Sequence, residues 1–257
     1  MDLQLKGKTA LVTGGSRGIG YGAACALAAE GVNVHITSRT AADLETAKKK
    51  ITSAYKVNVT CHPCDLGAEG AAAKLAQAVG DIDFLVNNAG AIPQGTVVSL
   101  DEKTWRAAWD LKVWGFINLT REYYGRMAAK KSGVIVNVIG VAGERHASGY
   151  IAGSMGNASL MALSRALGAD SHQDGIRVVG INPGAIETDR QVVRWRARAE
   201  KELGSAERWR ELVTGFPFGR LGTVDEIANM VAFLCSDRSG YTTGCVITID
   251  GGASQQK

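Results

Sequence analysis

The chain has 257 residues, 46% hydrophobic and 21% charged, which supports a sizeable buried core and argues against disorder. The length fits one large α/β domain better than two small ones, and 32 Gly against 4 Pro favour tight turns over proline-rich linkers. A formal charge of +4 is too small and too dispersed to suit nucleic acid, though it accommodates an anionic small molecule.

Patterns of strand and helix alternate along the chain. Lys8–Thr13 is a short apolar strand, followed by a Gly-rich turn and a small-residue helix from Ile19 to Glu30. Val32–Thr37 reads as the second strand, and further strands are expected at Val57–Cys61, Ile82–Val86, Val134–Val138, Arg177–Ile181 and Val246–Ile249. The intervening spacing predicts helices over 41–54, 68–79, 101–130, 154–172 and 224–236. This alternation implies a Rossmann-like, doubly wound parallel sheet in a three-layer α/β/α sandwich, with residues 1–257 as one domain. Segment 187–215 is longer than an ordinary connection and helix-rich, as a substrate-covering lid would be. No apolar run approaches the roughly 20 residues of a membrane span, and Met1–Lys6 lacks the pattern of an export signal, so a cytoplasmic protein without membrane contact is expected. Five cysteines, an odd number, do not suggest a disulfide framework. Cys61-His62-Pro63-Cys64 is half of a zinc motif without a second half, so it reads as structural and no metal is expected.

The turn Thr13-Gly14-Gly15-Ser16-Arg17-Gly18-Ile19-Gly20 carries the clearest chemistry. Gly14 permits the turn, Gly18 lets backbone approach a pyrophosphate, and Gly20 lets the helix pack on the sheet, while the helix N-terminus offers unpaired N–H groups to an anion. At the end of the second strand, where an acidic residue would select NAD, stand Ser38 and Arg39, with no carboxylate before Asp43. Arg39 and Arg17 suit a ribose 2′-phosphate, so NADP(H) is expected over NAD(H); the alternative for Arg39 is a solvated loop arginine.

With Asn87-Asn88-Ala89-Gly90, Asn182-Pro183-Gly184…Thr188, Cys64-Asp65-Leu66 and Asp250-Gly251-Gly252, the chain resembles the short-chain dehydrogenase/reductase family along nearly its whole length. The resemblance implies a seven-stranded sheet, a homodimer or homotetramer, and a cofactor touching Asp65, Leu66, Asn87, Ala89, Gly90, Pro183, Gly184, Ile186 and Thr188 beside the Gly-rich turn and residues 38 and 39. It also implies a Tyr that protonates the carbonyl oxygen, a Lys one turn later, a Ser that orients the carbonyl and an Asn on the fourth helix. Here those slots fall on Gly153, Asn157, Gly140 and Lys112. Lys and Asn have thus exchanged places, which makes Lys112 and Asn157 candidates for the proton-relay and ribose sites. Tyr150, three residues before the vacated slot, becomes the candidate acid if it shares a helix face with residue 153. The alternative is an ordinary half-buried tyrosine. Glu144, Arg145, His146 and Ser154 are further polar candidates nearby, His146 as an acid near neutral pH.

Arg190, Arg194 and Arg198 are spaced to line one helix face, a cationic surface suited to a carboxylate, a CoA phosphate or a carrier-bound acyl group; the alternative is a solvated helix balanced by Glu200, Glu202, Glu207 and Glu211. Trp105, Trp109 and Trp114 read as core or interface packing. The expected activity is NADP(H)-dependent oxidoreduction of a carbonyl or alcohol, including 3-oxoacyl-like or other anionic substrates. A dehydratase or lyase without net redox change, and a non-catalytic NADP(H)-binding protein, stay open.

Overall fold

The computed structural model describes residues 1–256. Its seven strands are β1 (Thr9–Thr13), β2 (Asn33–Ser38), β3 (Val59–Pro63), β4 (Phe84–Asn87), β5 (Gly133–Val138), β6 (Ile176–Pro183) and β7 (Val246–Ile249). They form one parallel sheet in the order β3-β2-β1-β4-β5-β6-β7. The helices are α1 (Gly18–Ala29), α2 (Ala41–Ala54), α3 (Ala71–Val79), α4 (Glu102–Trp109), α5 (Gly115–Lys130), α6 (Ile151–Asp170), α7 (Asp189–Leu203) and α8 (Val224–Cys235).

The central strands are apolar on both faces because helices cover both sides. Along β1 the side chains divide by the two-residue period. Ala10 and Val12 pack in one layer with Leu27 of α1, Leu44 of α2 and Val231 of α8. Leu11 faces the opposite layer with Leu75 of α3 and Leu119, Tyr123 and Met127 of α5. A buried polar row ties the centre together: the Asn87 amide donates to Asn137 Oδ1 at 2.9 Å and to Thr120 Oγ1 at 3.2 Å, and Asn137 donates to Ser164 Oγ at 2.9 Å. The strand order reverses between β1 and β4, the crevice where open α/β sheets bind ligands beyond their strand ends.

Several boundaries differ from the sequence expectation: the third and fourth strands run Val59–Pro63 and Phe84–Asn87, shifted toward the C-terminus, and three helical differences have a local reason. The third helix begins at Ala71 because Gly70 is left-handed (φ 69°). The long fourth helix is not uniformly α: a π-helical segment, Asp110–Trp114, separates α4 from α5. The sixth helix starts at Ile151 rather than 154, so Tyr150 is its N-terminal flanking residue, with φ −139° and ψ 38°, and lies outside the helix. Segment 187–215 is α7, ended by left-handed Gly204, then a 3-10 stretch Ala206–Val213. It has its own small core of Ala199, Trp209, Val213 and Leu221.

Candidate active site

A cleft of about 1110 Å³ runs along the C-terminal strand ends. Its wall at the β1 end is built by backbone. Thr13 Oγ1 accepts from the amides of Asn88 and Ala89 at 2.8 and 2.9 Å, and Asn88 Nδ2 donates to the Thr13 carbonyl at 2.9 Å, so the first and fourth loops are locked together. At Gly20 a Cβ would lie 2.3 Å from the Gly14 carbonyl oxygen, so only glycine allows the helix to enter there. No side chain caps α1 and no acidic residue sits in its first turn, which leaves the first N–H groups to an anion.

At the β2 end, Ser38 lines the cleft and its Oγ is a buried polar atom without a partner. Arg39 is exposed and makes no ion pair among the described residues, whereas Arg17 is paired with Asp43 at 2.5 Å. The glycine cradle, the uncapped helix, the orphaned hydroxyl and a free guanidinium fit a phosphorylated dinucleotide.

Of the cofactor residues expected from sequence, the cleft wall includes Gly14, Ser16, Arg17, Gly18, Ile19, Ser38, Arg39, Leu66, Ala89, Gly90, Asn157, Pro183, Gly184, Ile186 and Thr188. Gly20, Asp65 and Asn87 lie outside it. Gly20 is behind the turn, the Asp65 carboxylate accepts from the Gly67 amide at 3.1 Å, and the Asn87 amide is spent in the core row. Sequence reading missed the wall residues Asn88, Ile92, Gln94, Ile139 and Val141. Asn88 stood inside a quoted motif; the apolar ones carry no signal that separates them from core.

Three of the four altered slots, Lys112, Gly140 and Asn157, line the cleft, and the fourth, Gly153, is buried beneath the Tyr150 ring, which does. Lys112 sits in the π-helical segment and is 7% exposed. Its Nζ donates to the carbonyls of Val138 and Ile139 at 2.9 and 3.2 Å and lies 4.5 Å from the centre of the Phe116 ring. Burial pulls its pKa down to about 7. The stem passes over Gly90, where a Cβ would be 2.4 Å from Lys112 Cδ. Asn157 is buried on α6, and its Nδ2 would be 2.9 Å from a Cβ at Gly140, so the amide fills the space beside that glycine. Gly140 itself has φ 135°, which a serine adopts only with strain.

Tyr150 reaches the site by a route that the helical argument did not foresee. From its non-helical position the side chain folds over the first turn of α6, and a Cβ on Gly153 would lie 2.0 Å from Tyr150 Cε1 and 2.2 Å from Cζ. The Tyr150 ring therefore occupies the volume where a side chain on residue 153 would begin. Burial pushes its pKa up, and Arg190 and Arg194 pull against that rise. Ile92, Trp105 and Ala152 pack around it.

The remaining loop candidates turn elsewhere. Glu144 accepts from Thr248 Oγ1 at 2.9 Å, Arg145 donates to the Ala253 carbonyl at 2.9 Å, and Ser154 Oγ accepts from the Ala147 amide at 3.3 Å. His146 is exposed and outside the cleft wall. On α7 the predicted arginine face divides. Arg190 and Arg194 line the cleft, but Arg198 is turned to Glu202 at 2.8 Å and lies over the Trp195 ring, and Arg196 pairs with Glu207 at 3.2 Å. Trp109 donates to the Ala152 carbonyl at 2.9 Å and stacks edge-on with Trp105, while Trp114 is 50% exposed. Among the described residues no three His, Cys, Asp or Glu side chains are grouped as a metal site, and no helix is long and apolar enough to cross a membrane.

Comparison with known proteins places this geometry. A family model described as enoyl-(acyl carrier protein) reductase matches residues 14–254. A 3-oxoacyl-(acyl carrier protein) reductase of Chlamydia muridarum is 32% identical, with 98% of this chain and 99% of the relative covered. An acetoacetyl-CoA reductase of Shinella zoogloeoides is 34% identical, covering 95% of this chain and 98% of the relative. The crystal structure of L-sorbose reductase from Gluconobacter frateurii, complexed with NADPH and L-sorbose, superimposes with a TM-score of 0.92 at 27% identity over all of both chains. The sheet order, the cleft at its reversal point and these full-length matches make the chain an oxidoreductase of the short-chain dehydrogenase/reductase family.

Proposed function

We propose that the protein is an NADP(H)-dependent reductase of a small carbonyl compound, 3-oxoacyl-like or otherwise anionic, in which the phenol of Tyr150 stands in for the tyrosine missing at residue 153. NADPH, when bound, supplies a hydride to the carbonyl carbon. The Tyr150 hydroxyl donates its proton to the carbonyl oxygen, giving the alcohol, and regains a proton from the cleft. Burial favours the neutral phenol, the form that donates. Lys112, held by two backbone carbonyls and titrating near neutrality, exchanges protons at the same end of the cleft. The Asn157 amide lies at the family's lysine slot and bonds the ribose. Arg39 with Ser38 selects the 2′-phosphate, and segment 187–215 covers the substrate.

One observation carries this reading: the Tyr150 ring lies over Gly153, in the space that the family's acid would take. NADPH oxidation against a panel of ketones and oxo acids tests it. Tyr150→Phe and Lys112→Met are each expected to lower turnover by about 10²–10⁴ while NADPH affinity holds. Unchanged turnover in both variants would reject the assignment.

A further inference from the structure

The charges in the cleft wall are unevenly matched. Arg17 and Arg39 occupy the β2 end, and Arg17 already has Asp43. At the other end stand Lys112, Arg190 and Arg194, with Asp189 the one carboxylate in the wall there. Arg190 and Arg194 are one turn apart on α7, a like-charge spacing that disfavours an isolated helix. The later arginines of α7 have glutamates for relief, but these two make no ion pair among the described residues. Burial, and after it the neighbouring Arg194, holds the Arg190 guanidinium below its ordinary pKa. An anion between them would remove the repulsion.

We propose that Arg190 and Arg194, with Gln191 beside them, bind the carboxylate of a free oxo acid whose carbonyl lies against Tyr150. The inference rests on the assignment of Tyr150 as the acid. The position of the pair decides the class. Both arginines line the same cleft as Tyr150, so the anion they hold belongs close to the reacting carbonyl. A thioester on a pantetheine arm is uncharged there and carries its phosphates far from the reaction, whereas a free acid has its charge within a few bonds. Planar guanidinium groups also match a carboxylate in two-point contact. Ile92, 5% exposed, and Val193, 67% exposed, supply an apolar wall for the short carbon chain between the two ends.

Thermal unfolding of the NADPH-saturated protein tests this with pyruvate, acetoacetate and laevulinate, each against its methyl ester, and with acetoacetyl-CoA. At least one acid is expected to raise the melting temperature while its ester does not, and Arg190→Gln/Arg194→Gln to weaken that acid at least tenfold without changing NADPH affinity. Equal response to acid and ester, no response to any acid, stabilisation by the thioester alone, or an unaltered acid response in the double variant would overturn the proposal. The Tyr150→Phe variant separates this inference from the one beneath it. Acid binding that persists there with turnover lost supports both, and acid binding with normal turnover rejects the role of Tyr150 while the carboxylate site stands.

Discussion

A lysine with no carboxylate partner inside a cleft wall is costly to fold around, and Lys112 makes the cost measurable. Its folded pKa of about 7 lies below the unfolded value of 10.5, so the unfolded chain binds more protons wherever the pH lies between the two. Stability therefore rises with pH across that window and loses this contribution as pH falls toward 7; below 7 both states are protonated and the penalty is constant. Lys112→Met has no such titration. The melting temperature of the wild type relative to that of Lys112→Met should climb steadily from pH 7 to pH 10; a difference flat over that range would show that the ammonium is not desolvated. The same residue shows what was legible. That a lysine replaces the family's asparagine is plain from the chain, but its contacts with the carbonyls of Val138 and Ile139 depend on the π-helical turn and on Gly90 leaving room for the stem. Neither has a sequence signature. Gly140 is likewise readable as a missing serine, while its φ of 135° is a property of the folded loop alone.

At the scale of elements, the strands were the most readable part, because buried parallel strands are continuous apolar runs bounded by turns. Helix starts were less so. The sixth helix contains no proline or strong cap at its beginning, so its first residue is set by the Gly95–Tyr150 bridge and by packing instead of by a local signal. That three-residue difference decides how Tyr150 works: outside the helix, its ring can lie back across the first turn. Gly153→Ala tests the arrangement at this scale. Alanine favours a helix interior over glycine by about 0.5–1 kcal/mol, so the variant should be no less stable than the wild type if the ring swings aside. Because the new Cβ would lie 2.0 Å from Tyr150 Cε1, the ring must move, and turnover should fall toward that of Tyr150→Phe. A variant as active as the wild type would show that the ring's place over residue 153 does not matter. The arginine face of α7 taught the converse: helical spacing put Arg190, Arg194 and Arg198 on one face, but only the contact with Glu202 divides the solvated Arg198 from the two in the cleft.

Over the whole molecule, the fold and the cofactor end of the cleft follow from the same feature, a sheet whose order reverses between β1 and β4 beside an uncapped, glycine-led helix. Those relations were in the sequence because glycine, strand and helix must alternate to build them. At the substrate end the candidates Tyr150, Lys112, Asn157, Arg190 and Arg194 were named from the chain, but their arrangement was not legible, since it joins the fourth loop, the π-helical turn, the start of α6 and α7, segments brought together only by folding. Reduction at that end requires that the other end grip a 2′-phosphorylated dinucleotide. Calorimetric titration of nucleotide-free protein with NADPH, and with NADH alongside, is the most direct test. The account predicts one-to-one binding of NADPH at least tenfold tighter than that of NADH; no heat of binding with either cofactor at millimolar concentration would contradict it.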